Sequence, residues 1–267
     1  MPPPPRLSLS EWSLHREILE WQPRHLEFPR VAKEVFGLDA IEYRSTFFQD
    51  KVTDFGYLAE MRKRQEDAGV RAVLVEIDHA GPLGALEDEA RIGAVDAHFP
   101  WIAAAAFLGC EAVSVGAEGL VAGAPYLEWM GDSLWRLAGI AQPYGITVLV
   151  GNRSGLACDG AWMASLMKDA GADAGAWVGT HPHVDNFDLG GGKVYPRYQG
   201  LEEMIPWAKA LSVRPDEPRI DLDRIARIAG VRSYAGFIGV EYDGPGKDER
   251  AGTKRAIELV RDAWSRA

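Results

Sequence analysis

The chain alternates from end to end between short apolar runs and stretches with helical spacing, and the alternation repeats eight times. Runs rich in apolar and β-branched residues occupy 7–10, 40–44, 72–78, 112–115, 146–152, 174–179, 210–213 and 237–242. Such runs suit strands that are buried on both faces. Helical stretches lie between them at 28–36, 54–69, 86–109, about 126–141, 161–169, 201–209, 222–228 and 250–265, with Pro100 as a break point in the third. The second of these keeps Leu58, Met61 and Ala68 on one face and stops at Gly69. Parallel strands joined by helices either open into a doubly wound sheet or close into a barrel. Eight units in 267 residues predict closure: an α/β (β/α)8 TIM barrel, one domain over residues 1–267. The open alternative lacks its Gly-x-Gly-x-x-Gly turn after the first strand, since Gly190, Gly191 and Gly192 lie beyond the sixth.

A net charge of −10 and a pI of about 5.1 offer no basic stripe for a phosphate backbone, so no nucleic-acid partner is expected. The longest apolar run, 100–110, falls short of the ~20 residues that cross a bilayer, so no membrane partner is expected either. Met1-Pro-Pro-Pro-Pro-Arg6 lacks the apolar core of a secretory leader. Cys110 and Cys158 read as free thiols in a reducing compartment. A cytoplasmic protein with a small-molecule substrate is the expectation.

In a barrel of this type the chemistry sits where the strands end. Those positions carry Trp12 with His15, then Glu42 and Arg44, then Glu76, Asp78 and His79, then Glu118, then Asn152 and Arg153. The sixth strand opens into Thr180-His-Pro-His-Val-Asp-Asn-Phe187, the seventh delivers Arg214 and Asp216, and the eighth Glu241 and Asp243. His181, His183 and Asp185 are spaced by two, which puts them on one side of an extended chain. His183 and Asp185 with Glu241 can hold a divalent metal, or the histidines can serve as loop residues bonded to backbone and Asp185 as a turn acid.

Glu241 follows the apolar run Phe237-Ile-Gly-Val240, and an acid there is paired, metal-bound or catalytic. We read it as a catalytic base with His183 as its acid partner. The alternative is a salt bridge with Arg44 or Arg214 across the rim. Glu76 reads as a barrel-interior acid paired with arginine. Asn152, Arg214, Glu42, Trp12 and His79 are the candidate substrate contacts. Arg214 suits a phosphate or carboxylate, or the neutralisation of developing charge. Trp12, Trp177 and Tyr43 offer an apolar wall, although aromatics at strand ends more often pack.

Several motifs resemble the xylose isomerase-like TIM-barrel family of sugar (phosphate) isomerases and epimerases. They are Ser8-Leu-Ser-Glu-Trp-Ser-Leu-His-Arg16, His25-Leu-Glu-Phe-Pro-Arg30, Phe36-Gly-Leu-Asp-Ala-Ile-Glu-Tyr43 and the stretch from Trp101 to Cys110. Tyr144-Gly-Ile-Thr-Val-Leu-Val-Gly-Asn152, Asp185-Asn-Phe187 and Gly239-Val-Glu-Tyr-Asp-Gly244 continue the likeness over nearly the whole chain. The resemblance implies a divalent metal, Mn²⁺ or Mg²⁺, held by Glu, Asp, His and Glu from separate strands, the two Glu also passing a proton beside a carbonyl. Here the first Glu position is Gly151, the Asp position is His183, and the His region reads Ser212-Val-Arg-Pro-Asp216. Glu241 alone is unchanged.

Two routes follow from those departures. A rebuilt metal site uses His183, Asp185 and Glu241, with His79 or His181. A metal-free site uses Glu241 and a histidine as acid and base, with Arg214 as stabiliser. The implied activity is isomerisation or epimerisation of a small sugar-like or keto substrate. A lyase or cyclase on a non-sugar substrate, and a non-catalytic ligand-binding relative, are the alternatives. Barrels of this kind often pair, so a homodimer is expected.

Overall fold

Strands that are apolar on both faces need cover on both, and the chain provides it by wrapping them into a cylinder inside a ring of helices. The computed structural model describes residues 5–22, 24–117, 126–216, 219–246 and 248–267. Residues 1–4, the start of the N-terminal proline run, and Glu118 lie outside the described residues. Eight parallel strands form the cylinder: β1 Leu7–Ser10, β2 Ala40–Arg44, β3 Arg71–Glu76, β4 Ala112–Val115, β5 Thr147–Gly151, β6 Val178–His181, β7 Ala210–Val213 and β8 Phe237–Val240. Sequence neighbours are sheet neighbours from β1 to β6, and β8 pairs with β1 on one side and β7 on the other.

The seam between β6 and β7 is held by two isolated bridges, Thr180 to Ala208 and His183 to Ser212. Pro182 has no N–H to donate, but its carbonyl accepts the Ser212 N–H at 2.9 Å. The Val184 N–H in turn reaches the Ser212 carbonyl at 3.1 Å. The predicted TIM barrel is the observed architecture.

Among the described residues the helices are α1 His15–Glu20, α2 Arg24–Phe36, α3 Phe55–Ala68, α4 Asp88–Phe107, α5 Tyr126–Ala141, α6 Gly160–Ala174, α7 Arg197–Met204, α8 Leu222–Val231 and α9 Glu249–Ser265. Several differ from the sequence reading, α7 among them, which spans Arg197–Met204 against the expected 201–209. The expected first stretch, 28–36, lies within α2, and α1 precedes it. Pro100 sits inside an unbroken α4. The sixth strand starts four residues later than expected, because Ala170-Gly-Ala-Asp-Ala174 stays helical, as alanine favours. Gly175, at φ 59, ends that helix. Trp177 consequently precedes β6 and lies at the end of the barrel remote from the strand exits.

Inside the cylinder the side chains change character from bottom to top. Ala40, Leu74, Ala112, Leu149, Ala210 and Phe237 form an apolar plug at the strand starts. Above it the strands contribute Ser8, Ser10, Ser114, Gly151, Ser212 and Gly239, small residues that leave room for charged neighbours. Outside, Phe28, Phe47, Phe48, Leu58 and Met61 are fully buried among the helices. No helix among the described residues is long and apolar enough to cross a membrane.

Helices α3, α6, α8 and α9 each begin on an aspartate whose carboxylate accepts a backbone N–H two or three residues into the turn. The pairs are Asp54 with Tyr57 (3.1 Å), Asp159 with Trp162 (3.0 Å), Asp221 with Arg224 (2.9 Å) and Asp248 with Ala251 (2.9 Å). Replacing Asp54 or Asp221 by Ala is expected to cost ~1 kcal/mol each. The two should add in the double variant, since they cap different helices. Urea unfolding measures this, and unchanged midpoints would show that the caps carry no stability.

Candidate functional site

Three arginines reach into the mouth of the barrel, and each meets acids from the neighbouring strands. Arg44, the last residue of β2, donates from Nε to both oxygens of Asp78 at 3.1 Å. It also approaches Glu76 at 3.6 Å and Glu241 at 3.7 Å. Arg153, two residues past β5, lies 3.3 Å from Glu76 and 3.5 Å from Asp78. Arg214, just past β7, donates from Nε to Glu241 at 2.6 Å, grips the same oxygen through Nη2, and reaches Asp185 at 3.2 Å and Asp243 at 3.7 Å. Cations therefore come from β2, β5 and β7, and anions from β3, β6 and β8.

Glu241 is fully buried. Burial pushes its carboxyl up, against the pull of Arg214 and Arg44, and Ser10 donates to its second oxygen at 3.1 Å. The salt-bridge reading of Glu241 is thus realised, with both arginines. Glu76 is also buried, which raises its carboxyl, but Arg153, Arg44 and the two imidazoles more than offset that and hold it below the usual range.

His181 and His183 lie side by side, ring centroids 4.5 Å apart. Burial lowers the His181 imidazole to about 4, with Arg153 and Arg44 adding and Glu76 opposing. Burial likewise lowers His183 far below its ordinary value. Both rings are neutral at physiological pH. The Ser114 hydroxyl meets His181 Nδ1 at 3.0 Å. Nε2 of each ring, and Oε1 of Glu76, is buried without a hydrogen-bond partner, and His183 Nε2 lies 3.8 Å from Glu76 Oε1. His183 and Glu241 therefore belong to one network, linked through Glu76 and Arg44.

The remaining expected contacts fall elsewhere. Asn152, expected at the substrate, spends its amide on the loop after β6. Its Oδ1 accepts the His183 N–H at 2.7 Å, and its Nδ2 donates to the carbonyls of His183 (3.0 Å) and Asn186. It is a fully buried clasp. Trp12 stacks on His15 at 4.5 Å and carries the Arg44 guanidinium over its ring at 4.5 Å, so its surface is taken by protein groups. Tyr43 is core, bonded to Gln65. His79 is exposed on the loop after β3, outside the ion-pair ring. Arg214 is engaged by three acids instead of being held ready for an anionic substrate.

A divalent metal at the position implied by the family resemblance does not fit these residues. Gly151 brings no ligand, and a Cβ there would lie 3.3 Å from both Arg153 Nε and His183 Nε2, so a guanidinium fills that space. Asp185 and Glu241, expected as ligands with His183, both face Arg214. Of the expected set only His183 joins a ligand cluster: Glu76, His181 and His183 bring ligand atoms within 4.8 Å of one another, close enough for one metal ion. Two imidazoles and a carboxylate suit a transition metal. Arg153 lies against the same Glu76 oxygen. The sequence placed Glu76 and Arg153 on the rim without joining them to the histidines; their shared position at strand exits was the available signal.

No family model matches the sequence, and no curated protein matches it. Solved structures do. A putative xylose isomerase from Rhodospirillum rubrum superposes with a TM-score of 0.76 at 13% identity, covering 97% of this chain and 99% of that one. The fold is that of the xylose isomerase-like barrels. The 3-keto-D-glucoside 4-epimerase of E. coli gives 0.73 at 14% identity, over 97% and 99%. A family 2 AP endonuclease from Brucella melitensis gives 0.70 at 17%, over 95% and 98%. An epimerase and an endonuclease share the fold, so the chemistry has to be read from residues.

In this barrel Glu42, expected at the substrate, sits one layer below the rim. It is 4% exposed, and Ser8 donates to it at 2.6 Å. Gly239 leaves it room, since a Cβ there would meet the carboxylate at 2.5 Å. Burial lifts Glu42 to about 8; the Ser8 bond opposes the rise, and Glu76 and Glu241 add to it. The folded chain binds this proton more tightly than the unfolded chain. The group therefore favours folding at low pH, and that contribution fades as pH rises from 4.5 to about 8. Within that window it should cost about 1.4 kcal/mol per pH unit. Glu42→Gln is expected to flatten this slope and to be the more stable protein at pH 8. Identical pH dependence of urea unfolding in both proteins would refute the shift.

Proposed function

We propose that this barrel is a small-molecule enzyme of the sugar isomerase or epimerase type. It moves a proton at a carbon beside a carbonyl in a neutral polyhydroxylated or keto substrate. The observation that carries this reading is the pair of neutral imidazoles, each with an unpartnered Nε2, set against the Glu76 carboxylate inside a ring of guanidinium groups. Buried titratable groups with displaced proton affinities gather at sites of chemistry. The fold shared with a keto-sugar epimerase supports the same direction.

His183 is the group that moves the proton. A neutral imidazole can take a proton at Nε2, and Glu76 at 3.8 Å stabilises the imidazolium as it forms. The enolate oxygen that develops needs a fixed positive neighbour. Arg44 Nη1, which lies 3.7 Å from Glu241 Oε2 and makes no hydrogen bond among the described residues, is the nitrogen assigned that role. Glu241, held by Arg214, Arg44 and Ser10, keeps those guanidinium groups in place; the sequence reading made it the base.

The charge balance supports a neutral substrate. Five acids (Glu76, Asp78, Asp185, Glu241 and Asp243) share three arginines. A phosphate or carboxylate would have to compete with them, whereas hydroxyl groups can donate to the surplus carboxylate oxygens. The net charge of −10 supports a small molecule over a nucleic-acid backbone.

The test is exchange of substrate C–H for deuterium, followed by NMR across a panel of keto-sugars in D₂O. His183→Ala should slow exchange by roughly 10²–10⁴-fold. Its backbone N–H and C=O remain clasped by Asn152, so the loop should hold. Glu241→Gln should retain exchange within about tenfold of the parent, the size of a lost supporting charge contact. Exchange that survives His183→Ala intact, or no exchange with any member of the panel, would end this reading.

A further inference from the structure

We propose that Arg153 is a resident cation that keeps divalent metal out of a site otherwise built for it. Glu76, His181 and His183 are then a latent transition-metal site. The inference does not depend on the proposed activity.

Three observations meet here. First, the backbone turns back at once after β5: the Arg153 N–H donates to the Gly151 carbonyl at 3.0 Å. That turn folds the side chain over the strand end instead of out to solvent. Gly151 makes the path open, since any side chain there would meet Arg153 Nε and His183 Nε2.

Second, the guanidinium is fixed. Nη1 donates to the Ile77 carbonyl at 2.6 Å and Nη2 to the Ser114 carbonyl at 2.9 Å. Nε is thereby left 3.3 Å from Glu76 Oε1, the oxygen that would ligate a metal. Carbonyls from β4 and from the end of β3 thus hold a positive charge where a cation would bind.

Third, the ligand atoms are prepared. Ser114 takes His181 Nδ1, which leaves His181 Nε2 for the cluster. That nitrogen, His183 Nε2 and Glu76 Oε1 are all buried and lack hydrogen-bond partners. Neutral imidazoles with a carboxylate are the donors that zinc, cobalt and iron prefer. What the cluster lacks is charge compensation, because a dication would sit against Arg153, with Arg44 3.6 Å from Glu76 on its other flank. Proteins usually complete such a site with outer acids that orient and neutralise; here an arginine stands there instead.

The experiment uses the full chain after washing with chelator. Two variants remove the charge differently: Arg153→Met keeps the apolar stem, and Arg153→Gln keeps a donor for the Ile77 or Ser114 carbonyl. Thermal melts confirm that each is folded. Zn²⁺ titration calorimetry should show one equivalent bound by the variants about 100-fold more tightly than by the parent, the size of effect that outer groups exert on metal sites. Co²⁺ should give the variants visible d–d bands, and adding His181→Ala should abolish them. Two results would overturn the proposal. One is a parent protein that binds an equivalent of Zn²⁺ as tightly as the variants and loses it on His181→Ala. The other is a folded Arg153→Gln that gains no affinity.

Discussion

A carboxylate taken out of water has to be answered by a cation or a proton, and the mouth of this barrel is organised by that requirement. Glu76 and Glu241 are both buried. Removing the partner of a buried ion costs ~3–5 kcal/mol, because the remaining charge is stranded. Arg44, Arg153 and Arg214 supply the answer from β2, β5 and β7, alternating with acids from β3, β6 and β8. Glu42, one layer lower, meets the demand differently, by holding its proton. The small interior residues follow from the same demand, because Ser10, Ser114, Gly151, Ser212 and Gly239 are what allow long charged side chains to fold inward.

The ring also decides which groups are left free to react. A carboxylate engaged by two guanidinium groups and a hydroxyl, as Glu241 is, has few lone pairs to spare. The imidazoles differ. They are neutral, adjacent, and hold nitrogens that nothing among the described residues satisfies. Their position depends on Asn152, whose amide fastens the backbone on both sides of the His183 peptide unit, and on the bridge from His183 to Ser212 that helps to shut the barrel. Closure of the cylinder and placement of the imidazoles are therefore one structural event.

Much of this was legible in the sequence because strand burial leaves a strong pattern. Eight apolar runs separated by helical spacing indicate closure, and β1, β2, β4 and β7 begin and end where their residues suggest. Boundaries slipped where composition was neutral between states: the alanine-rich stretch up to Ala174 is apolar enough for a strand but helical by preference. In the site, the alternation of His181 and His183 was readable from spacing alone. Asp185 departed from it because the chain turns after His183, with the Asn186 N–H closing on the His183 carbonyl at 3.1 Å. Asn152, Trp12 and Glu42 engage protein groups in the folded chain, and the sequence could not show this for a common reason. A polar or aromatic residue at a strand exit can face ligand, loop or layer below, and only three-dimensional neighbours distinguish these.

The differences from the metal site that the sequence resemblance implies can be read as linked. A site that holds a dication can gather several buried carboxylates, because the metal neutralises them. If one ligand is lost at position 151 and another at the position of His183, the ion is held less tightly, and Glu241 then faces burial without compensation. Arg214 and Arg44 remove that difficulty for Glu241, and Arg153 does so for Glu76 while filling the space that Gly151 opens. Each guanidinium stabilises the acid beside it and opposes the return of a dication. The barrel thus shares the architecture of its structural neighbours while the acids at its mouth, Glu76 and Glu241 among them, are answered by arginine.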